Sequence, residues 1–106
     1  MANTFKNYVN ADVGTTPVTV ITASTATTVI GMSLANKTAS PVTISAYITV
    51  GGSDYYIVKD ATVPVGGSLV TVGAEQKLVL ETGDALKAVS SAAASIDVIA
   101  SVLELA

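Results

Sequence analysis

Val42-Thr-Ile-Ser-Ala-Tyr-Ile-Thr-Val50, closed by Gly51-Gly52-Ser53 and answered by Asp54-Tyr-Tyr-Ile-Val-Lys59, is the stretch on which the architecture turns. Val42, Ile44, Ala46, Ile48 and Val50 alternate with Thr43, Ser45, Tyr47 and Thr49. A period of two places one set inward and the other toward water, as in a half-buried strand. Paired glycines reach positive φ without steric cost, so Gly51-Gly52 closes a hairpin. Tyr55 and Tyr56 are adjacent on the returning strand and point to opposite faces, so only one of them can join Tyr47.

Working outward, strand and turn signals recur every eight to twelve residues, the spacing of an antiparallel sandwich or barrel. Upstream, Pro17–Thr22 is rich in β-branched residues, and Thr28–Asn36 follows with Ile30, Met32 and Leu34 on one face. Downstream, Val63-Pro64-Val65 reads as a short edge piece, Gly66-Gly67 as a second turn, and Ser68–Val72 as a strand. Lys77–Glu81 is expected to pair with Ala85–Val89 across Thr82-Gly83-Asp84. Ile96–Leu103 fits either a helical stripe or a strand. Its many β-branched residues and the all-β setting favour a closing strand. The reading is an all-β fold, a single antiparallel β-sandwich (jelly-roll or Ig-like) of about eight short strands. Residues 1–15 lack a period and read as an N-terminal arm, and residues 16–106 as the sandwich domain.

The chain has 106 residues, half of them apolar, and no His, Cys, Arg or Trp. These absences remove the usual general base, thiol nucleophile, soft-metal ligand and bidentate phosphate clamp. A net charge of −3 and pI near 4.5, with scattered lysines, disfavour nucleic acid, which calls for a basic face. The start has no apolar signal-peptide core, and the uncharged run between Asp12 and Lys37 is cut by Pro17, Gly31 and many hydroxyls. Neither an export signal nor a membrane span is expected. Charged residues make up 12 % of the chain, about half the usual share. A surface so weakly charged repels its neighbours poorly and favours assembly.

Acidic side chains are the remaining candidates for chemistry. Asp54, Asp60, Asp84 and Asp97 lack the dense spacing of a calcium loop and suit turn capping. Glu81 and Asp84 flank one turn, where no cleft separates them for glycoside hydrolysis. The serines have no His partner and no Ser-x-x-Lys pattern. No catalytic residue, metal site or cofactor is expected. Tyr47 with Tyr55 or Tyr56 admits a carbohydrate-binding platform, although such rings more commonly pack in cores and interfaces. The interface candidates are Phe5 and Tyr8 in the arm and Leu103 on the outer face of the last strand.

Thr28-Val-Ile-Gly-Met-Ser-Leu-Ala-Asn36, Pro41-Val-Thr-Ile-Ser-Ala-Tyr47 and Asp54-Tyr-Tyr-Ile-Val-Lys-Asp60 carry a resemblance, continued by Val63–Leu69, Leu78–Asp84 and Val98–Glu104. Over residues 15–105 the chain resembles small β-sandwich virion structural proteins of tailed bacteriophages, cyanophages among them. The resemblance implies a non-enzymatic subunit located in the virion, most readily a capsid decoration (cement) protein. It implies partners in other copies of itself, a trimer being one possibility, and in virion proteins such as the major capsid protein. A neck or tail accessory protein and a carbohydrate-binding host-attachment module are the alternatives.

Overall fold

Gly51 and Gly52, both at positive φ (59° and 84°), form the tip of one long antiparallel ribbon. The structure, a computed structural model, describes residues 3–72 and 77–105. Among these residues there are nine strands: β1 (Thr4–Val13), β2 (Val18–Thr22), β3 (Thr27–Asn36), β4 (Val42–Val50), β5 (Ser53–Val63), β6 (Ser68–Val72), β7 (Leu78–Leu80), β8 (Ala85–Ser90) and β9 (Ile96–Glu104). Nested about the tip, β4 pairs with β5, β3 with β6 and β7, β2 with β8, and β1 with β9. The ribbon then rolls on itself, laying β3 against β9 and β4 against β8.

Rolling produces two antiparallel sheets, ordered β1-β9-β3-β6 and β2-β8-β4-β5, with β7 beside β6 along one edge of β3. This connectivity is a jelly roll, one of the two sandwich types the sequence allows. The hydrophobic effect selects the roll, because each sheet has one apolar face that needs cover. Met32 and Leu34 of β3 and Val98, Ala100 and Val102 of β9 are buried in the core with Ile44 and Ala46 of β4 and Leu86 and Ala88 of β8. Each large aliphatic side chain so buried contributes roughly 1.5–3 kcal/mol.

Several elements depart from the sequence reading. Residues 1–15, expected as an arm, contribute β1. Its Val13 is buried and Tyr8 packs partly on the core, while a register shift between Asn10 and Val13 obscures any period in the sequence. β7 pairs with β3 in one sheet while β8 lies in the other, so Lys77–Glu81 and Ala85–Val89 are not a hairpin. The turn between them has Gly83 at φ 96°, with the Asp84 amide donating to the Glu81 carbonyl at 2.9 Å. It carries the chain across the sandwich. Ile30 leaves the face of Met32 and Leu34 because the β3–β9 register shifts between Val29 and Gly31. Val63 ends β5, with Pro64 and Val65 in the following turn. Ile96–Glu104 is a strand, as its β-branched residues imply.

Three left-handed residues shape the ends of the roll: Asp12 (φ 59°), Asp60 (φ 52°) and Ala94 (φ 50°). At Asp60 the backbone amide donates to the Ser45 hydroxyl at 3.0 Å. Ser45 is thereby buried although the alternation of β4 points it outward. Asn36 plugs the end of the core. Its amide nitrogen donates to the carbonyls of Ser40 at 2.9 Å and Val63 at 3.1 Å, and its oxygen accepts from the Thr38 amide at 2.9 Å. Buried polar groups that close loops in this way must find partners, and Asn36 does.

Candidate functional site

β9 is central to one sheet, and its alternation divides it cleanly. Ile96, Val98, Ala100 and Val102 are buried, so Ile99, Ser101 and Leu103 project from the outer face. The register extends these three positions into ranks across the sheet. Val9, Ile99, Ser33 and Val70 form one rank, and Phe5, Leu103, Thr28 and Val79 another. Between them Asn7, Ser101 and Gly31 make a rank of small or short polar residues. Phe5 is 73 % exposed, Val70 65 %, Val9 63 %, Val79 62 % and Ile99 51 %.

Every residue of these three ranks is uncharged. The low middle rank borders a shallow depression of about 300 Å³ lined by Phe5, Asn7, Ile30, Ser101 and Val102, with Lys6 as its one charged neighbour. Two apolar ridges with a trough between them thus form the outer face of the β1-β9-β3-β6 sheet. Such a face can bury apolar area against a partner.

The interface candidates fall on both sides of this sheet. Phe5 and Leu103 are direct partners across β1 and β9 and share the outer face. Tyr8 lies on the other face of β1, where its hydroxyl donates to the Glu104 carboxylate. Lys6 approaches Glu104 at 3.6 Å and stands 5.8 Å from the Tyr8 ring. The hydrogen bond to Glu104, followed by burial, raises the pKa of Tyr8 above that of a free phenol. Tyr8 therefore closes the open end of the sandwich. Val70 and Val79 were not singled out by sequence reasoning. Each sits among other aliphatic residues in a short strand, and only the register brings Val70 into line with Ile99 and Val79 with Phe5.

The opposite outer face differs in kind. Tyr47 pairs with Tyr56, ring centroids 5.0 Å apart and tilted by 41°. Lys59 lies 5.1 Å from the Tyr56 ring. Tyr56 is thus the neighbour that joins Tyr47, and Tyr55 lies on the other side of β5. Tyr47 is only 7 % exposed, and burial raises its pKa, with the Asp54 charge adding to the effect. The pair offers one accessible ring where a flat sugar platform needs more.

A third cluster locks one end of the roll. Lys37 bridges the carboxylates of Asp12 and Asp97, reaching Asp97 at 2.9 Å. The Asp12 amide donates to the same Asp97 oxygen at 3.2 Å. Lys37, then the Asp12 amide, hold the Asp97 carboxyl below its ordinary pKa. Bonds to Asp12 and then Asp97 hold the Lys37 amine above its own. Among the described residues no group of three or more His, Cys, Asp or Glu could hold a metal.

No protein-family model and no curated protein matches this chain. Solved structures do. The chain is similar to one in the structure of infectious bursal disease virus Gx strain, with a TM-score of 0.53 and 14 % identity over 96 % of its residues. It is also similar to a chain in the crystal structure of the T13 IBDV viral particle, with a TM-score of 0.50 and 12 % identity over 96 %. A pentameric capsid protein isolated from metagenomic phage sequences aligns over 94 % of the chain with a TM-score of 0.49 and 17 % identity. What is shared is the fold. The chain spans 32 % and 35 % of the two virus-particle chains and 60 % of the phage one.

Proposed function

We propose that this chain is a non-enzymatic virion structural protein, acting as a capsid decoration (cement) subunit. The observation that carries the reading is the exposed, uncharged, two-ridged outer face of the β1-β9-β3-β6 sheet. A fold alone does not specify function, but a contiguous apolar face marks a protein–protein contact. The jelly roll that presents it has the fold of chains found in virus particles. The resemblance of Thr28–Asn36, Pro41–Tyr47 and Asp54–Asp60 to phage structural proteins points the same way. Its partners in this reading are other copies of itself and the major capsid protein.

The test is mass spectrometry and cryo-EM of purified virions from the source of this chain. Cement predicts many copies, each bridging neighbouring capsid subunits. A single ring at the neck or tail would replace cement with the accessory reading. Absence from the particles would overturn the virion role altogether.

A further inference from the structure

We infer that β1 is a register switch. Asp97 and Glu104 of β9 hold it where Phe5 and Val9 face outward, and a slip of one residue along β9 turns both inward and withdraws them from the outer face.

The observation that carries this is a bulge. Thr4 through Asn10 pair with Glu104 through Val98 in unbroken register, whereas Val13 pairs with Ile96, so β1 uses one residue more than β9 between Asn10 and Val13. Asp12 lies in this extra step at φ 59°, a left-handed conformation that costs any residue with a Cβ. One extra residue in a strand reverses the facing of everything beyond it. Val13 is accordingly buried and Val9 exposed, although residues four apart share one face of an unbroken strand. Straightening the bulge extends the Val13–Ile96 register along the strand, setting Ala11 against Val98, Val9 against Ala100 and Phe5 against Glu104. Each residue then takes the place of the one before it. Val9 replaces the bulkier Tyr8 and Ala11 replaces Asn10, while Phe5 replaces Thr4 at the exposed end of the strand.

The slip has a fixed point and a free strand. The Val13 carbonyl accepts from the Ser95 amide at 3.0 Å and the Gly14 carbonyl from the Ser90 amide at 2.8 Å, which anchors the chain from Val13 onward. Ahead of that anchor β1 is an edge strand paired with β9 alone, so no second ladder resists its movement. Burial of Phe5 and Val9 and relief at Asp12 favour the straight register. Two sets of contacts favour the bulged one. The Asp97 carboxylate accepts from the Asp12 amide at 3.2 Å and from Lys37 at 2.9 Å, and Lys37 also bridges to Asp12. In the straight register Asp12 and Asp97 stand directly opposite as like charges, which is unfavourable. At the other end Glu104 accepts from the Tyr8 hydroxyl and pairs with Lys6 at 3.6 Å. The slip turns both of these away from Glu104. It also brings Lys6 beside Leu103 and Asn10 beside Ile99, so the outer face becomes polar and charged along β1.

The consequence for docking rests on the proposed function, whereas the two registers are properties of the isolated chain. The test is nuclear Overhauser and exchange-saturation NMR on that full chain. The wild type should show Val9–Ile99 contacts in its main state and a second state on the order of 1 %, with exchange confined to β1 ahead of Val13. Asp97→Ala should raise the second state about fivefold and bring in a Val9–Ala100 contact. Tyr8→Thr should do the same from the other end of the strand, and it serves if Asp97→Ala misfolds. Deletion of Asp12 removes the extra residue, keeps Asn10 opposite Val98, and should abolish the second state. One register throughout the wild type and both substitutions would overturn the inference. So would a second state in which β1 leaves β9, or one that outlives the deletion. A single register in a chain found in virions would leave the proposed function standing. Two registers in a chain absent from virions would keep the switch and remove that function.

Discussion

Asn36 shows how much one side chain can carry in a fold with few charges. Its two amide functions satisfy backbone groups from the loop that follows β3 and from the end of β5. Asn36→Ala leaves the Val63 carbonyl without this donor, and lost buried partners of this sort cost about 1–3 kcal/mol each. The urea midpoint should fall accordingly with an unchanged slope, and an unaltered midpoint would refute this role. Asp97 offers a pH signature. Because Lys37 and the Asp12 amide hold its folded pKa below the unfolded value, its contribution is present above about pH 3.9 and lost as pH falls through the folded value. Asp97→Asn should therefore lower stability at pH 7, and the gap to wild type should close in acid. Lys37→Met should reduce the same acid dependence, leaving the part that the Asp12 amide supplies. The sequence marked Asn36 only as the end of a strand and Asp97 only as a turn residue, since their partners lie on other elements.

At the scale of elements, the β8–β9 turn is the clearest target. Ala94 sits at φ 50°, a region that costs a residue with Cβ about 1–2 kcal/mol. Ala94→Gly should relieve that strain and raise the thermal midpoint by a few degrees, net of the greater freedom of an unfolded glycine. No gain, or a loss, would show that the neighbouring contacts dictate this conformation. Gly14 is the converse, because a Cβ there would lie 3.2 Å from the Ala93 and Ala94 backbone. The strands legible beforehand were β4, with its clean alternation, and those punctuated by paired glycines, whereas β9 fitted a helical stripe as well and was told apart by its β-branched residues. β1 was not legible, because its exposed Phe5, Asn7 and Val9 give no polar–apolar contrast. The false β7–β8 hairpin has another cause. A Gly turn announces a reversal of the chain but not which sheet receives it.

For the molecule as a whole, nested pairing makes almost every contact distant in sequence. Among the described residues only β4 and β5 are consecutive strands that pair with each other, and Thr4 meets Glu104 across nearly the full chain. Loop closure must precede the rewards of such pairing, so folding should be slow, in milliseconds to seconds, as for other β-sandwiches. Stopped-flow refolding checks this, and a submillisecond phase carrying the full amplitude would contradict it. The same pairing of Thr4 with Glu104 also sets the start of β1 and the end of β9 side by side at one pole. A short linker could therefore join them, and the exposed Gly51-Gly52 tip could be opened to provide new termini. Such a circular permutant should keep the jelly roll, and any tag or cargo fused to it would be displayed from the hairpin tip in place of the β1–β9 pole.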